Sequence, residues 1–215
     1  MLFQAQENMK LKHLKSILDD VDTFDSPNVQ LEQYPTPPDI AAHMLHHIYS
    51  QGEVEEKVVA DLGCGCGILS VAAAVLNASY VVGFDIDMDA LEICARNCKE
   101  MELTTVDMVQ VDITAPFDSR WSKAFDTVVM NPPFGTRNKG LDMLFLKVAL
   151  QLSSGSVYSL HKSSTREHIK KKAAELNLTF KVVAELRYNL DKTYSFHKRD
   201  SKDIAVDFVH FSKKT

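Results

Sequence analysis

The feature that most constrains the fold is a repeated alternation between strand-like and helix-like segments. Short apolar runs are separated by longer segments whose apolar residues recur every three or four positions. The strand-like runs lie at 57–62, 80–86, 106–111, 125–130, 156–160, 180–186 and 203–211, and helical patterns between most of them lie at 67–77, 88–101, 141–153 and 165–176. This alternation is typical of an α/β fold with a mainly parallel sheet and helices on both faces.

The two ends of the chain depart from this alternation. Helical spacing over 8–21, and again after Thr36-Pro37-Pro38, predicts two helices before the first strand. The last two strand-like runs are separated by a polar stretch, 188–202, in place of a helix. We therefore expect these two strands to pair as an antiparallel hairpin.

The length and composition fit one domain. At 215 residues the chain can bury one core but is short for two domains of typical size. Its apolar content of 45% and charged content of 25% are ordinary for a globular protein. We expect a single domain over residues 1–215, with the N-terminal helices in 1–50 and the core in 57–215.

No feature of the sequence predicts export or a membrane span. No apolar run approaches the roughly 20 residues that a spanning helix needs. The N-terminus lacks the basic lead and long apolar segment of a secretory signal. An intracellular protein is therefore expected, and its cysteines are expected to be reduced thiols.

The four cysteines could alternatively be zinc ligands. Cys64 and Cys66 are closer together than paired structural zinc ligands usually are, and they fall inside a glycine-rich turn. Cys94 and Cys98 share one side of a predicted helix, where a free cysteine packs as a small apolar residue. We therefore expect no metal in this chain.

The charge is distributed unevenly along the chain. Residues 1–135 carry 8 Lys/Arg against 21 Asp/Glu, whereas residues 136–215 carry 16 against 8. A basic half of this size indicates a polyanionic partner such as nucleic acid. A solvated lysine-rich helix around 170–172 is the simpler explanation for part of the excess.

A glycine-rich turn follows the first core strand. Glycines at alternate positions let the backbone bend tightly and approach a ligand closely. A dinucleotide enzyme would have Gly-x-Gly-x-x-Gly here, but the third glycine comes one residue early, giving Gly63-x-Gly65-x-Gly67 after Asp61. This spacing looks like the S-adenosylmethionine loop of class I methyltransferases.

Acidic residues end the next two strands. Asp85 lies about 20 residues past the glycine turn, where a carboxylate can accept hydrogen bonds from ribose hydroxyls. Asp112 and Ile113 end the third strand. All three turns belong to the carboxyl edge of the sheet, where open α/β folds bind ligands. Asp87 and Asp89 are expected to be capping or first-turn residues of the helix that follows, and not ligands of the cofactor.

The tetrapeptide Asn131-Pro132-Pro133-Phe134 follows a buried-looking apolar run, 127–130. Two prolines cannot continue a strand, so the chain must turn sharply here. The turn leaves an amide side chain, backbone carbonyls and an aromatic ring together, which suits a flat amine-bearing group. The tetrapeptide resembles the catalytic motif of methyltransferases that modify planar amine or amide nitrogens, although a strand-ending turn with a packed Phe is the alternative.

Over nearly its whole length the chain resembles the methyltransferase-like protein 5 family. Beside the glycine loop and the tetrapeptide, the matching strings are 31–36, 83–87, Gly135-Thr136, 158–166 and 184–188. The resemblance implies a class I methyltransferase, Rossmann-like fold with a seven-stranded, mostly parallel sheet whose last strand is antiparallel. It also implies transfer of a methyl group from S-adenosylmethionine to N6 of an adenosine in small-subunit (18S) ribosomal RNA.

The resemblance also implies roles for individual residues. Part of the segment 1–50 should close over the cofactor, and the core in 57–215 should carry catalysis. The implied cofactor-binding residues are Gln33 and Thr36 in the closing part, Asp61, Gly63, Cys66 and Ile68 at the glycine loop, Asp85 at the ribose, and Asp112 and Ile113 at the adenine. Members of the family work with a small zinc-binding activator subunit, which we expect at the exposed edge of strand 106–111. Any zinc is expected in that partner.

The tetrapeptide supplies the expected catalytic residues. The side-chain oxygen of Asn131 and the carbonyl of Pro132 should accept the amine hydrogens, Pro133 should shape the turn, and Phe134 should stack on the base. Phosphate contacts are expected from Arg137, Lys139, Lys162, Lys198 and Arg199, the last two beside Tyr194, Phe196 and His197. Polar loops with anchoring aromatic residues are the alternative for these basic residues.

Two other functions remain open at this point. One is a methyltransferase that modifies a glutamine side chain in translation termination factors, because glutamine also presents a planar amine. The other is a non-catalytic assembly factor that holds cofactor and RNA. The basic second half favours RNA, and the intact Asn131 and loop glycines favour catalysis. A location in both nucleus and cytoplasm is expected.

Overall fold

The computed structural model describes residues 9–135, 137–191 and 201–214. Its helices are α1 (Leu11–Leu18), α2 (Pro38–Ser50), α3 (Ile68–Val75), α4 (Met88–Glu100), α5 (Leu141–Leu152) and α6 (Arg166–Glu175). Its strands are β1 (Val58–Leu62), β2 (Tyr80–Asp85), β3 (Val106–Gln110), β4 (Phe125–Met130), β5 (Ser153–Lys162), β6 (Leu178–Asp191) and β7 (Ser201–Lys213). Short 3₁₀ helices lie at Val29–Leu31, Ser119–Trp121 and Ser163–Thr165.

The strands form one seven-stranded sheet in the order β3-β2-β1-β4-β5-β7-β6. Neighbouring strands among β1 to β5 are parallel, whereas β7 runs antiparallel to both β5 and β6. The predicted mainly parallel sheet with an antiparallel C-terminal hairpin is confirmed. The strand order reverses between β1 and β4, and open α/β sheets bind ligands beside such a reversal.

Two apolar cores cover the two faces of the sheet. Helices α1 to α4 pack on one face, and α5 and α6 pack on the other. The sequence of α2 explains why one of its faces packs on the sheet. The helix begins at Pro38, and its buried residues recur at helical spacing: Ile40, Met44, Leu45 and Ile48. The predicted helices on both faces are confirmed.

The C-terminal hairpin is longer than the sequence indicates. The polar stretch 188–202 was expected to lie between the strands, but β6 continues to Asp191 and β7 begins at Ser201. That part of the expectation is wrong, because cross-strand pairing continues from Tyr188–Ile204 to Asp191–Ser201. Backbone hydrogen bonding across a hairpin can hold polar residues in a strand that apolar alternation does not predict.

Other boundaries shift by a few residues. Helix α1 covers Leu11–Leu18 rather than the predicted 8–21, and β5 covers Ser153–Lys162 rather than 156–160. The capping role expected of Asp87 is confirmed, since its side chain accepts a hydrogen bond from the Asp89 amide at 3.1 Å. Within the ranges that the structure describes, each helix is too short or too polar to cross a bilayer.

Candidate active site

A cavity of about 760 Å³ opens at the carboxyl ends of the first four strands. All nine residues expected to bind a cofactor line it, and Asn131 and Pro133 line it as well. The sheet explains this convergence, because the carboxyl ends of parallel strands meet at the same edge. The fold therefore brings the predicted cofactor residues and the predicted catalytic turn, 131–134, to one place.

The glycine turn between β1 and α3 forms the floor of the cavity. Gly63 and Gly67 have φ angles of +76° and +87°, which favour glycine. A Cβ atom on Gly67 would clash with the Cys94 sulfur, and one on Gly63 would lie 2.9 Å from the Phe145 ring. The amide of Gly63 donates to the Phe84 carbonyl at 2.7 Å, which ties the turn to the end of β2. Only glycine fits these two positions.

Asp61 carries a buried carboxylate at the end of β1. Its Oδ2 accepts a hydrogen bond from the Ser70 hydroxyl at 2.7 Å, while its Oδ1 is buried with no hydrogen-bond partner. Burial raises the pKa of Asp61 to about 7. An unpaired oxygen at a cavity wall is an acceptor for a ligand donor, and a cationic donor would favour the ionised form.

Asp85 joins the glycine turn to the end of β2. Its Oδ2 accepts from the Gly65 amide at 2.8 Å and its Oδ1 accepts from the Asp87 amide at 3.0 Å. Burial raises the pKa of Asp85, although these amide hydrogen bonds oppose the shift. The carboxylate is thus held in a fixed orientation at the cavity wall, where its remaining lone pairs can face ribose hydroxyls.

Asp112 and Ile113 follow the end of β3. The Asp112 Oδ1 accepts from the Thr114 hydroxyl at 2.7 Å and from the Thr114 amide at 2.8 Å, which lowers the pKa of Asp112. The side chain is exposed beyond the strand, which ends at Gln110. This carboxylate is therefore charged at neutral pH and fixed beside Ile113 at the outer end of the cavity.

Residues 28–36, called the closing segment below, form one wall of the cavity. Gln33 donates from Nε2 to the Asp87 carboxylate at 2.6 Å, which attaches the segment to the end of β2. Glu32 accepts from the Arg137 amide at 2.8 Å, which attaches the segment to the loop after the tetrapeptide. Thr36, also in this wall, accepts a hydrogen bond from Asn131. The closing segment thus contacts the cofactor side of the cavity at Asp87 and the tetrapeptide at Asn131.

Two residues near the glycine turn were not predicted to belong to the site. Phe24 lies over the turn, its ring 3.0 Å from where a Cβ atom on Gly65 would be. Asn97 on α4 is buried and donates from Nδ2 to the carbonyls of Cys66 (2.9 Å) and Asp22 (3.0 Å). Nothing in the local sequence marks these residues, because their partners are distant along the chain.

The cysteines lie in or beside the glycine turn as apolar groups. Burial raises the pKa of the Cys66 thiol to about 12, so it stays protonated at neutral pH. Cys94 and Cys98 are buried on α4 beneath the turn. Among the residues placed by the structure, no group of three or more His, Cys, Asp or Glu side chains is arranged to hold a metal ion.

Asn131 follows the end of β4 with its two amide atoms in different surroundings. Its Nδ2 donates to the Thr36 hydroxyl at 2.9 Å and to the Tyr188 hydroxyl at 3.3 Å. Its Oδ1 is buried and has no hydrogen-bond partner. Native structures rarely leave a buried carbonyl oxygen unpaired, so this atom is a candidate acceptor for a bound ligand.

The rest of the tetrapeptide surrounds this amide. Pro133 lines the cavity, whereas Pro132, which is buried, and Phe134 are not among the lining residues. The Phe134 ring meets the Tyr188 ring edge-on, with centroids 6.4 Å apart and planes at 86°. The Lys162 ammonium lies 5.6 Å from the Phe134 centroid, within the range of a cation–π contact.

The structure describes three of the five candidate RNA-binding residues. Arg137 and Lys139 are exposed on the loop after the tetrapeptide, and Lys162 at the end of β5 contacts Phe134. Lys198 and Arg199, with Tyr194, Phe196, His197 and also Thr136, lie outside the described residues.

His161 is buried in β5, and burial lowers its pKa to about 4, so it is neutral at physiological pH.

The strand order, with β7 antiparallel between β5 and β6, and a ligand cavity beside the glycine turn define a class I methyltransferase. The family model of the methyltransferase small domain matches residues 36–183. The chain is 56% identical to the rRNA N(6)-adenosine-methyltransferase Mettl5 of Drosophila melanogaster, over 94% of this chain and 96% of that protein. It is 53% identical to METTL5 of Danio rerio, over 95% and 99% of the two chains.

A solved structure shows the same fold. The crystal structure of the protein PH1948 from Pyrococcus horikoshii superposes with a TM-score of 0.81 at 33% identity, covering 94% of this chain and 96% of that one. The chain belongs to the methyltransferase-like protein 5 family. Its cofactor is S-adenosylmethionine, and the cavity fits that group, since it combines a glycine floor, an unpaired acidic oxygen on Asp61 and the fixed carboxylate of Asp85.

Proposed function

We propose that the protein transfers a methyl group to N6 of an adenosine in small-subunit ribosomal RNA. The observation that carries this proposal is the Oδ1 atom of Asn131, a buried acceptor without a partner beside the cofactor cavity. The names of the Drosophila and Danio relatives, which match over nearly their whole length, support the choice of substrate. The basic half of the sequence, 16 Lys/Arg against 8 Asp/Glu in residues 136–215, also supports it.

The reaction requires hydrogen-bond acceptors for the amine hydrogens rather than a strong base. S-adenosylmethionine, when bound, supplies an electrophilic methyl group on a positively charged sulfur. The N6 nitrogen of adenine is a poor nucleophile because its lone pair is delocalised into the ring. Asn131 Oδ1 and the Pro132 carbonyl can accept the two amine hydrogens, and these hydrogen bonds strengthen as positive charge develops on nitrogen.

Proton removal needs no dedicated side chain. Once the nitrogen carries the additional methyl group and a positive charge, it is acidic enough to lose a proton to water. His161 is unsuited to this task because it is buried and neutral, with its pKa lowered to about 4. The chain therefore contributes positioning and electrostatic stabilisation, and these can supply most of the rate acceleration.

The target base has to leave its stack to reach this cavity. A stacked base cannot present its amine to a turn at the edge of a sheet, so the adenosine must be unpaired or flipped. Phe134 offers a ring on which an extruded base can stack, a contact worth about 1–3 kcal/mol. The Lys162 ammonium, 5.6 Å from that ring, is placed to neutralise a nearby phosphate.

The remaining RNA contacts belong to the same proposal. Arg137 and Lys139 are exposed on the loop that follows the catalytic turn, so they can meet the nucleotides that flank the target. Lys198 and Arg199 are assigned to the same surface from the sequence alone. The proposal also places the protein in the nucleus and cytoplasm, where ribosomal RNA is made and used.

A partner on β3 also forms part of the proposal. This strand lies at one end of the sheet order, and β2 is its neighbour. The Val111 amide bonds to the Asp85 carbonyl and the Val81 amide bonds to the Thr105 carbonyl, both at 2.8 Å. Since residues alternate along a parallel strand, Val106, Met108 and Gln110 direct their amides outward. A small zinc-binding activator subunit could add a strand there.

The substrate can be tested directly. The purified complex is incubated with isotopically labelled S-adenosylmethionine and either ribosomal RNA or a translation termination factor. We expect label only in N6-methyladenosine from the RNA, identified by mass spectrometry of nucleosides. Label on a glutamine side chain would instead identify a protein glutamine methyltransferase, and no label in either would favour a non-catalytic assembly factor.

A further inference from the structure

Tyr188 lies where the C-terminal hairpin meets the catalytic turn. It is a buried residue of β6, only 1% exposed. Its hydroxyl lies 2.6 Å from the Pro35 carbonyl oxygen and 3.3 Å from Asn131 Nδ2. Its ring meets Phe134 edge-on. One side chain from a distant part of the sequence therefore contacts two catalytic residues and the closing segment.

The direction of the hydrogen bonds at Tyr188 follows from the number of its protons. A tyrosine hydroxyl has one proton to donate, and a backbone carbonyl can only accept. The short contact with Pro35 therefore uses the proton, and the hydroxyl oxygen is left as an acceptor for Asn131. Burial raises the pKa of Tyr188, so the hydroxyl keeps its proton at physiological pH.

This direction determines how the Asn131 amide must be turned. With the amide reversed, Oδ1 would face a Tyr188 oxygen whose proton is already used, which is unfavourable. In the observed orientation Nδ2 donates to the hydroxyls of Tyr188 and Thr36 at 3.3 and 2.9 Å. The Oδ1 atom is then the one left without a partner at the cavity.

We propose that Tyr188 is a positioning residue, whose hydroxyl fixes the Asn131 amide so that Oδ1 is presented to the substrate amine. The inference rests on the proposed function, because it assigns the way in which Asn131 is prepared for that reaction. Tyr188 lines the cavity, and in this assignment it acts through Asn131 rather than on the reacting atoms. Through the Pro35 carbonyl, the same hydroxyl also links the orientation of this amide to the position of the closing segment.

The kinetic test removes only the hydroxyl. Tyr188→Phe keeps the ring and its packing on Phe134, and Tyr158→Phe removes a comparable hydroxyl from β5, from a residue also 1% exposed but outside the cavity lining. We expect kcat to fall about tenfold in Tyr188→Phe, while the KM for RNA and the Kd for S-adenosylmethionine stay within threefold. Tyr158→Phe should retain the wild-type kcat.

A second readout needs no substrate. The side-chain amide resonances of Asn131 are identified by their loss in Asn131→Asp, and their hydrogen exchange is measured by NMR in wild-type protein and in Tyr188→Phe. We expect Tyr188→Phe to shift these resonances and accelerate their exchange, and Tyr158→Phe to leave them unchanged. If the wild-type protein failed to methylate ribosomal RNA, the proposed function would fail, but the amide spectra would still decide the role of Tyr188.

Three results would overturn the assignment. One is an Asn131 amide spectrum that is unchanged in Tyr188→Phe. Another is a wild-type kcat in that variant on a substrate that the protein methylates. The third is a loss of activity that Tyr158→Phe reproduces, or that an equal rise in cofactor Kd explains, because either would show a merely structural or cofactor-binding role.

Discussion

Asn97 holds the backbone of Asp22 by two hydrogen bonds, accepting from its amide and donating to its carbonyl, each at 3.0 Å. The same side chain donates to the carbonyl of Cys66 in the glycine turn at 2.9 Å. This buried amide therefore fastens the stretch that carries Phe24 to the floor of the cofactor cavity. Arg96, also on α4, pairs with the Asp22 carboxylate at 3.3 Å, so this helix holds the N-terminal part of the cavity wall through two residues.

Asn97→Ala should weaken cofactor binding, because the stretch that carries Phe24 loses its attachment to the glycine turn. We expect the Kd for S-adenosylmethionine, measured by calorimetry, to rise about tenfold, the equivalent of about one hydrogen bond. Glu100→Ala, an exposed residue of the same helix, is the control and should bind normally. Unchanged affinity in Asn97→Ala would show that this attachment does not shape the cavity.

Asp61 should make the stability of the cofactor-free protein depend on pH. Its pKa is raised from 3.8 to about 7, so between these values the folded protein binds more protons than the unfolded chain. Stability from this group is therefore fully present below the unfolded pKa and falls as pH rises through about 7. Each unit of difference corresponds to about 1.4 kcal/mol.

The matching measurement compares melting temperatures at pH 5 and pH 8 for wild type, Asp61→Asn and Asp112→Asn. Asp61→Asn should lose less stability than wild type on going to pH 8, because its side chain has no buried charge to form. Asp112 has a lowered pKa and an exposed side chain, so Asp112→Asn should keep the wild-type loss. The same pH dependence in wild type and Asp61→Asn would argue against a buried ionisable group.

Phe134→Ala should impair use of RNA more than binding of cofactor. Loss of a ring that stacks on the target base should reduce kcat/KM for RNA by about 5- to 150-fold, the equivalent of about 1–3 kcal/mol. Phe134→Tyr keeps a stacking surface and should retain most activity. Steady-state kinetics on ribosomal RNA would measure both variants. A normal kcat/KM in Phe134→Ala would show that the ring does not stack on the target base.

Met108→Pro should release a partner that adds a strand to β3. Proline removes an amide that points outward, and an edge strand tolerates it because the hydrogen bonds to β2 come from the alternate residues. We expect the zinc-containing subunit to be lost in size-exclusion chromatography, as measured by zinc content, while Met108→Val retains it. Equal retention by both variants would place the partner on another surface.

The ligand edge was largely predictable from the sequence, because each of its groups is local. Gly63 and Gly67 indicate a backbone that approaches other groups closely, and Asp85 and Asp112 each lie at or just after the end of a recognisable strand. A parallel sheet then brings these strand ends together without further information. The helix caps and the switch from parallel strands to a hairpin were equally local signals.

The residues that orient the site could not be found in this way. Tyr188 begins the polar stretch 188–202 that the sequence places between the strands, and only the extension of β6 and the order of β5, β7 and β6 bring it to Asn131. Asn97 lies in an amphipathic helix, where a polar residue is expected to face solvent, and only tertiary packing buries it. The ends of the hairpin were missed because cross-strand pairing, not side-chain pattern, keeps polar residues in the strands.

In the proposed reaction, Asn131 Oδ1 activates an adenosine amine of ribosomal RNA beside the bound cofactor. The most direct measurement is the rate of N6-methyladenosine formation in ribosomal RNA by wild-type protein and by Asn131→Ala, with cofactor Kd measured in parallel. We expect wild type to form N6-methyladenosine and Asn131→Ala to be at least about a hundredfold slower, while its cofactor Kd stays within about threefold. Wild-type turnover by Asn131→Ala, with intact cofactor binding, would contradict this account.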